Sequence, residues 1–212
     1  MFLGMNDRLL GSVRIGFGLL VLAALVTQIA NLLGAGVFNP TRFFLFFTVL
    51  SNLFAAGIFL EGGRRQLSGQ PPVPDLWRGA AVVFMAVTFI VFAVLLRDLQ
   101  EELQTNVVWV DTVLHRIMPV AVMADWLIEP PHGPLGFQRA FVPWVVPPLA
   151  WTGFTMLRGA LDGWYPYPFL NPANGGYGAV VLYAMGILVV FLAVIWVVST
   201  AGPALRVRRR DP

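Results

Sequence analysis

The chain is unusual for what it lacks: it has no cysteine, no lysine and few charged residues. Without cysteine it forms no disulfide and offers no thiolate to a metal or a substrate. Charged residues are 12% of the 212 residues and hydrophobic residues are 58%, with a mean hydropathy of +0.74. Because soluble domains carry about 25% charged residues, this composition predicts a membrane protein.

Metal ligands and nucleic-acid-binding patterns are scarce as well. The chain has two histidines, and only His115 lies in an apolar segment, which argues against a metal site built from histidine. No run of arginines alternates with aromatic residues, so we expect no nucleic-acid partner.

Six apolar segments are long enough to cross a hydrocarbon core, which takes about 20 helical residues. The runs are continuous rather than alternating, which predicts helices and not the strands of a membrane barrel. The first run exceeds the roughly 7–15 apolar residues of a signal peptide, so we interpret it as a retained span, with a cleaved signal as the alternative. We predict an all-α protein with a single domain over residues 1–212, a six-helix bundle with spans near 13–33, 42–60, 79–96, 107–127, 140–157 and 178–201.

The distribution of arginine predicts the orientation of these spans. One side holds ten arginines and the opposite side holds three. Arginine concentrates on the cytoplasmic side of membrane proteins, so both termini are predicted to be cytoplasmic. We interpret the arginine-rich C-terminal tail as a topology signal, with binding to anionic lipid headgroups as the alternative. The ten are Arg8, Arg14, Arg64, Arg65, Arg78, Arg139, Arg206, Arg208, Arg209 and Arg210, and the three are Arg42, Arg97 and Arg158.

The fourth span carries three ionisable residues, Asp111, His115 and Arg116. A charge at the centre of a bilayer costs about 2.5–3.5 kcal/mol on insertion scales, so such residues are functional by default. Asp111 and His115 are four residues apart and share a helix face. This spacing predicts a general base with its orienting group, and a histidine that only packs against another helix is the alternative. Pro119 lacks an amide hydrogen, which predicts a kink where the carbonyl of His115 loses its partner.

The second span carries Thr48, Ser51 and Asn52 on one helix face. Such residues often bond back to a carbonyl or join helices, so on these residues alone packing is the stronger interpretation. In the predicted topology Thr48 lies six residues into its helix and His115 eight residues into its own. Both are then roughly 9–12 Å below the outer surface, at 1.5 Å per residue. The two side chains are therefore at a depth where they can meet.

Three other features are open to more than one interpretation. On a regular helix Arg116 points away from His115; it pairs with an acid on another helix, snorkels to the surface or binds a substrate carboxylate. Asp125 is interpreted as an interfacial anchor or a helix–helix contact, with Trp126 at headgroup level. The proline-rich and aromatic loop 163–172 is either a lid over Thr48 and His115 or part of an aromatic belt.

Three stretches taken together resemble the androgen-induced-protein family of six-helix membrane proteins, in its bacterial branch. They are residues 47–53 (FTVLSNL), residues 114–119 (LHRIMP) continuing to Asp125 and Trp126, and residues 165–170 (YPYPFL). Animal members are threonine hydrolases that cleave fatty acid esters of hydroxy fatty acids with one intramembrane threonine and one histidine. By motif position, the resemblance implies Thr48 as nucleophile and His115 as base. Arg116 departs from the animal pattern.

The resemblance implies a lipid-ester hydrolase without a cofactor, located in the cytoplasmic membrane of a bacterium, and the predicted topology puts its site in the outer half of the membrane. Its partners are then membrane lipids or long-chain acyl esters. Asp111 orients the imidazole as in a Ser-His-Asp triad. The candidate substrate-binding or oxyanion-stabilising residues are Asn52, Ser51, Asn171 and Arg116.

Two other function classes are compatible with the same residues. A small transporter or proton-coupled carrier would use Asp111, His115 and Arg116 as a relay, although six helices without an internal repeat are atypical of secondary transporters. A non-catalytic lipid-binding membrane protein is the third class.

Overall fold

The structure, a computed structural model, describes residues 5–97, 107–133 and 135–210, and within them every regular element is a helix. The predicted all-α class is confirmed. Short helical turns at Pro40–Phe43, Pro168–Leu170 and Pro172–Asn174 lie in connections. The long helices are α1 (Met5–Gly34), α2 (Phe47–Leu67), α3 (Asp75–Val91 with the π turn Phe92–Leu96), α4 (Val108–Thr112, the π turn Val113–Ile117 and Met118–Ile128), α5 (Phe137–Asp162) and α6 (Gly176–Arg210).

Four of these helices are long and apolar enough to cross a membrane: Asp7–Gly34, Asp75–Leu96, Phe137–Asp162 and Gly176–Thr200. Large apolar side chains cover their outward faces, which is compatible with an integral membrane protein. α2 and α4 are more polar, because α2 ends in charged residues and α4 contains the ionisable group around His115. The six spans and the cytoplasmic termini therefore stay predictions.

α2 begins five residues later than the predicted span, at Phe47 instead of Arg42. Pro40 starts a separate single turn, in which the side chain of Asn39 accepts the amide hydrogen of Arg42 at 3.1 Å. The backbone becomes extended at Phe46 before α2 starts. Thr48 therefore lies in the first turn of its helix, and the prediction of six residues of preceding helix is wrong.

Where Pro119 predicts a kink in α4, the structure has a π turn. The amide of Met118 donates to the carbonyl of Val113, five residues earlier. Pro119 has no amide hydrogen for the carbonyl of His115, so the regular ladder is interrupted at this point. A π turn inside an α-helix is a frequent feature of functional sites. The predicted polar loop 97–106 lies outside the described residues, apart from Arg97.

Successive long helices run in opposite directions, so each end of the bundle contains the first residues of some helices and the last residues of others. Near one end, the indole nitrogen of Trp144 in α5 donates to the carbonyl of Leu76 at 2.8 Å. Near the other end, Trp151 in α5 donates to the carbonyl of Leu45 at 2.9 Å. Between the two ends the interior is filled by buried apolar side chains, including Val21, Ala55, Val83, Met85, Met118, Val122 and Ile195.

α1 and α2 approach closely through glycines. A Cβ added to Gly63 would lie 2.5 Å from the carbonyl oxygen of Gly11, and one added to Gly18 would lie 2.6 Å from Leu60. Small residues allow such backbone contact, which is a common basis of helix association where lipid replaces water.

A buried ion-pair network joins α1, α3 and α4 at the end of the bundle away from Thr48. Arg14 Nε lies 2.7 Å from Asp125 Oδ1, and Arg78 Nη2 lies 3.4 Å from Asp125 Oδ2. Arg14 also pairs with Glu129, and both arginine side chains are 6% exposed. Asp125 is therefore a helix–helix contact. Trp126, expected at headgroup level, is buried against the guanidinium of Arg78.

Replacing Arg14 with alanine should strongly destabilise the fold. Removing one partner of a buried pair leaves an uncompensated charge, at a cost of about 3–5 kcal/mol. The thermal unfolding midpoint in detergent measures this effect. Arg64→Gln is the matched control, since its pair with Glu61 is exposed and should change the midpoint little. Equal shifts in the two variants would contradict the structural role of the network.

Candidate active site

His115 lies between Thr48 and Asp111, with one ring nitrogen facing each. Its Nε2 is 3.3 Å from Thr48 Oγ1, and its Nδ1 is 2.9 Å from Asp111 Oδ1. The three residues are 8%, 3% and 2% exposed in the order Thr48, His115, Asp111. A carboxylate only accepts hydrogen bonds, so Nδ1 carries the proton and Nε2 is left to accept the hydroxyl of Thr48. The predicted meeting of Thr48 and His115 is present.

Thr48 owes its position to the start of α2. The first amides of a helix have no partner within the helix, and the amide of Thr48 donates instead to Tyr167 Oη at 3.2 Å. The same Tyr167 oxygen lies 3.4 Å from Thr48 Oγ1. Burial raises the pKa of Tyr167, so its phenol keeps its proton and remains a donor. Tyr167 thereby places the 163–172 loop against Thr48, as the lid hypothesis predicts.

Two π turns face each other at His115. The turn that ends α3 carries Phe92, whose ring stacks on the imidazole with centroids 4.1 Å apart and planes 11° apart. The turn in α4 carries His115 itself. The phenyl ring covers one face of the imidazole and, together with the bond to Asp111, fixes the ring plane.

Thr48 borders two cavities of different character. A cavity of about 350 Å³, called the polar cavity below because it contains the ionisable residues, is lined by Thr48, His115 and Asp111, by Asn39 and Arg42, and by the loop that carries Tyr167. Apolar side chains, among them Leu25, Val110 and Leu114, form the rest of its wall. An apolar slot of about 210 Å³ lies between α3, α5 and α6 and shares Thr48, Leu96 and Tyr167 with the polar cavity. His115 and Asp111 border the polar cavity and not the slot.

No protein-family model matches this chain, and no curated protein and no solved structure is similar to it. The resemblance to the androgen-induced-protein family therefore stays a prediction from three sequence stretches. The contacts of Thr48 with His115 and Tyr167 are the basis of the function proposed below.

Asn52 and Ser51 are not among the residues that line these two cavities, and their expected contact with substrate stays a prediction. Asn52 Nδ2 donates to the carbonyls of Thr48 at 2.9 Å and Leu114 at 3.0 Å, which uses both of its hydrogens. Ser51 Oγ donates to the carbonyl of Thr48 at 3.2 Å and lies 3.1 Å from Thr88 Oγ1. Both side chains hold α2 to its neighbours, and Asn52 ties the backbone of Thr48 to the segment that carries His115.

Arg116 has a partner that the sequence prediction did not consider. Its Nη1 lies 3.6 Å from Asp111 Oδ2 on its own helix, and its guanidinium lies over the ring of Phe92 at 5.3 Å. A π turn hydrogen-bonds residues five apart, which brings position 116 towards the side of position 111. Arg116 does not line the polar cavity, so it supports the charge of Asp111 instead of binding substrate there.

Asn171 lines the polar cavity as expected. Its side-chain oxygen accepts the amide hydrogen of Ala173 at 3.0 Å, which caps the short helical turn Pro172–Asn174. This oxygen therefore shapes the wall of the cavity.

Two residues of the site were not singled out by sequence reasoning. Tyr167 was included only as part of the lid loop, although its place between two prolines marks a fixed backbone. Phe92 stands in a continuous apolar run and carries no signal in the sequence. Both contacts depend on how separate elements pack.

The contacts of Thr48, His115 and Asp111 allow a proton to move from the hydroxyl to the imidazole. Within the described ranges, no group of three or more histidine, aspartate or glutamate side chains is placed to hold a metal ion. Both nitrogens of His115 have protein partners, one donating to a carboxylate and one facing a hydroxyl. A hydroxyl, a base and a carboxylate in this order can generate a nucleophilic alkoxide.

Proposed function

We propose that the protein is an intramembrane hydrolase of lipid esters, with Thr48 as the nucleophile and His115 as the general base. The observation that carries this proposal is the 3.3 Å separation of Thr48 Oγ1 and His115 Nε2, with Asp111 bonded to the far side of the ring. Catalytic hydrogen bonds are often slightly long in an empty site. The resemblance to a family of membrane threonine hydrolases supports the same assignment.

The reaction proceeds through a covalent acyl-enzyme. His115 Nε2 takes the proton of Thr48 as Oγ1 attacks the ester carbonyl, and it then gives this proton to the leaving alcohol. Water enters next, loses a proton to the same nitrogen and releases the fatty acid from Thr48. Asp111 holds the correct tautomer and stabilises the imidazolium in both steps, and Arg116 balances the charge of Asp111 when the imidazole is neutral.

Tyr167 is the best-placed donor for the developing oxyanion. Its oxygen accepts the amide of Thr48 and lies 3.4 Å from Thr48 Oγ1, so its hydroxyl hydrogen is within reach of an oxyanion formed next to Oγ1. A preorganised donor beside the reacting carbonyl typically contributes about 10²–10³ in kcat. Asn52, the earlier candidate for this role, has no hydrogen left to donate.

The membrane arrangement is part of the proposal. Six spans with cytoplasmic termini place the Arg14 network on the cytoplasmic side and Thr48 in the outer half of the membrane. The apolar slot beside Thr48 includes Leu149 and Met185, which are 49% and 54% exposed on the outside of the bundle. A lipid ester would reach Thr48 laterally through this opening.

A carrier is less well supported by the packing. A proton or substrate path needs polar groups from one side of the membrane to the other. The polar cavity at Thr48 and the cavity around Arg14 share no lining residue, and buried apolar side chains such as Ala55 and Met118 lie between them.

An alkylfluorophosphonate should form a covalent adduct on Thr48, because the activated hydroxyl displaces fluoride from phosphorus. Thr48→Ala and His115→Ala should each abolish the adduct, and Thr48→Ser should retain it. Peptide mass spectrometry of the purified protein in detergent locates the modified residue.

Thr200→Ala is the matched control for this labelling, since Thr200 is exposed near the C-terminal end of α6 and its Oγ1 donates to the carbonyl of Trp196 on the same helix. Its labelling should equal that of the unchanged protein. Labelling that survives both Thr48→Ala and His115→Ala would falsify the assignment.

Tyr167→Phe should lower kcat for ester hydrolysis by about 10²–10³ while KM changes little, because the hydroxyl acts mainly in the transition state. Steady-state kinetics with a chromogenic acyl ester measures both constants. Tyr183→Phe is the control, as Tyr183 is 43% exposed and lines neither cavity. A kcat that stays within a factor of about two would remove Tyr167 from the oxyanion site.

A further inference from the structure

The slot beside Thr48 is lined mostly by apolar side chains. Its walls come from α3, α5 and α6, with Val87, Val91, Val145, Leu149, Leu188 and Phe191 among them. Besides Thr48 and Tyr167, two further hydroxyls line the slot, and both have partners: Thr152 donates to the carbonyl of Pro148 at 2.9 Å, and Thr88 lies 3.1 Å from Ser51 Oγ. Away from Thr48 and Tyr167 the lining is dominated by apolar side chains, which suits a hydrocarbon chain.

The position of His115 determines which of the two cavities beside Thr48 receives the alcohol of an ester and which receives the acyl chain. The alcohol leaves as its oxygen receives a proton from Nε2, and this nitrogen borders the polar cavity and not the slot. The alcohol oxygen must therefore face the polar cavity. The acyl chain, on the opposite side of the carbonyl carbon, then points into the slot.

We infer, resting on the proposed function, that the slot is the acyl-binding site and that the polar cavity receives the alcohol and the hydrolytic water. In the first step the bond from the acyl carbon to Thr48 Oγ1 forms and the bond to the alcohol oxygen breaks, with the proton passing from Thr48 through His115 to the alcohol. In the second step the bond from the acyl carbon to the water oxygen forms and the bond to Thr48 Oγ1 breaks, with one water proton passing through His115 to Thr48. The fatty acid leaves through the slot.

The dimensions of the slot fit several methylene groups. The slot-lining residues of α6 run from Ala184 to Phe191, seven residues or about 10 Å along a helix. This length accommodates several methylene groups of an extended chain. Longer chains extend into lipid past the exposed Leu149 and Met185.

Ala184→Trp tests this assignment, because a large side chain at Ala184 fills the slot and leaves the polar cavity open. The expected kcat/KM for decanoyl esters falls by about 10–100-fold, since several buried methylenes lose their site. For acetyl esters of the same alcohol it stays within about twofold, because the acetyl group does not enter the slot. Ala193→Trp on the outward face of α6, where Ala193 does not line the slot, should leave both values unchanged.

Leu188→Trp repeats the test from another position in the same wall, in case Ala184→Trp does not fold. In a second substrate series the acyl group is always decanoyl and the alcohol varies from methanol to decanol. The slot variants should leave the dependence of kcat/KM on alcohol length unchanged. If kcat/KM of the slot variants instead changes with the length of the alcohol and not of the acyl group, the assignment is wrong. It is also wrong if both folded variants lose kcat/KM equally for acetyl and decanoyl esters. An unchanged protein that hydrolyses no ester and takes no phosphonate on Thr48 would instead refute the proposed function itself.

Discussion

The hydrogen bond between Asp111 and His115 is the constraint on which the site depends. It places the proton on Nδ1 and turns Nε2 towards Thr48, in an interior where an unpaired carboxylate would be very costly. Arg116 lies 3.6 Å from the second oxygen of Asp111, so the carboxylate has a partner on each side. Without this pairing, neither the charge of Asp111 nor the orientation of the imidazole would be stable in a membrane bundle.

The fold holds this pair against Thr48 through contacts between helices. The π turn in α4 lies directly before Pro119, which has no amide hydrogen to donate to the helix. The π turn of α3 stacks Phe92 on the imidazole of His115. Asn52 links the carbonyl of Thr48 to that of Leu114. The ion-pair network around Arg14 joins α1, α3 and α4 at the opposite end of the bundle. One end of the bundle therefore contains the ion pairs, and the other contains Thr48, His115 and Asp111.

Sequence patterns predict much of this arrangement. The apolar runs predict the helices, the i, i+4 spacing predicts the Asp111–His115 bond, and Pro119 predicts the distortion of α4. The partner of Arg116 could not be predicted, because a π turn changes which residues share a face. The start of α2 was misplaced because Pro40 and Asn39 build a separate turn. The roles of Asn52 and Tyr167 depend on which elements meet in three dimensions, and a single sequence does not contain that information.

In the proposed mechanism Thr48 carries an acyl group during turnover. Rapid acid quenching of the protein with a decanoyl ester in steady state, followed by peptide mass spectrometry, detects this intermediate. We expect a decanoyl ester on the peptide that contains Thr48, absent from Thr48→Ala and accumulating when the alcohol is a good leaving group. Continued ester hydrolysis with no acyl group on Thr48 at any time point would rule out Thr48 as the nucleophile.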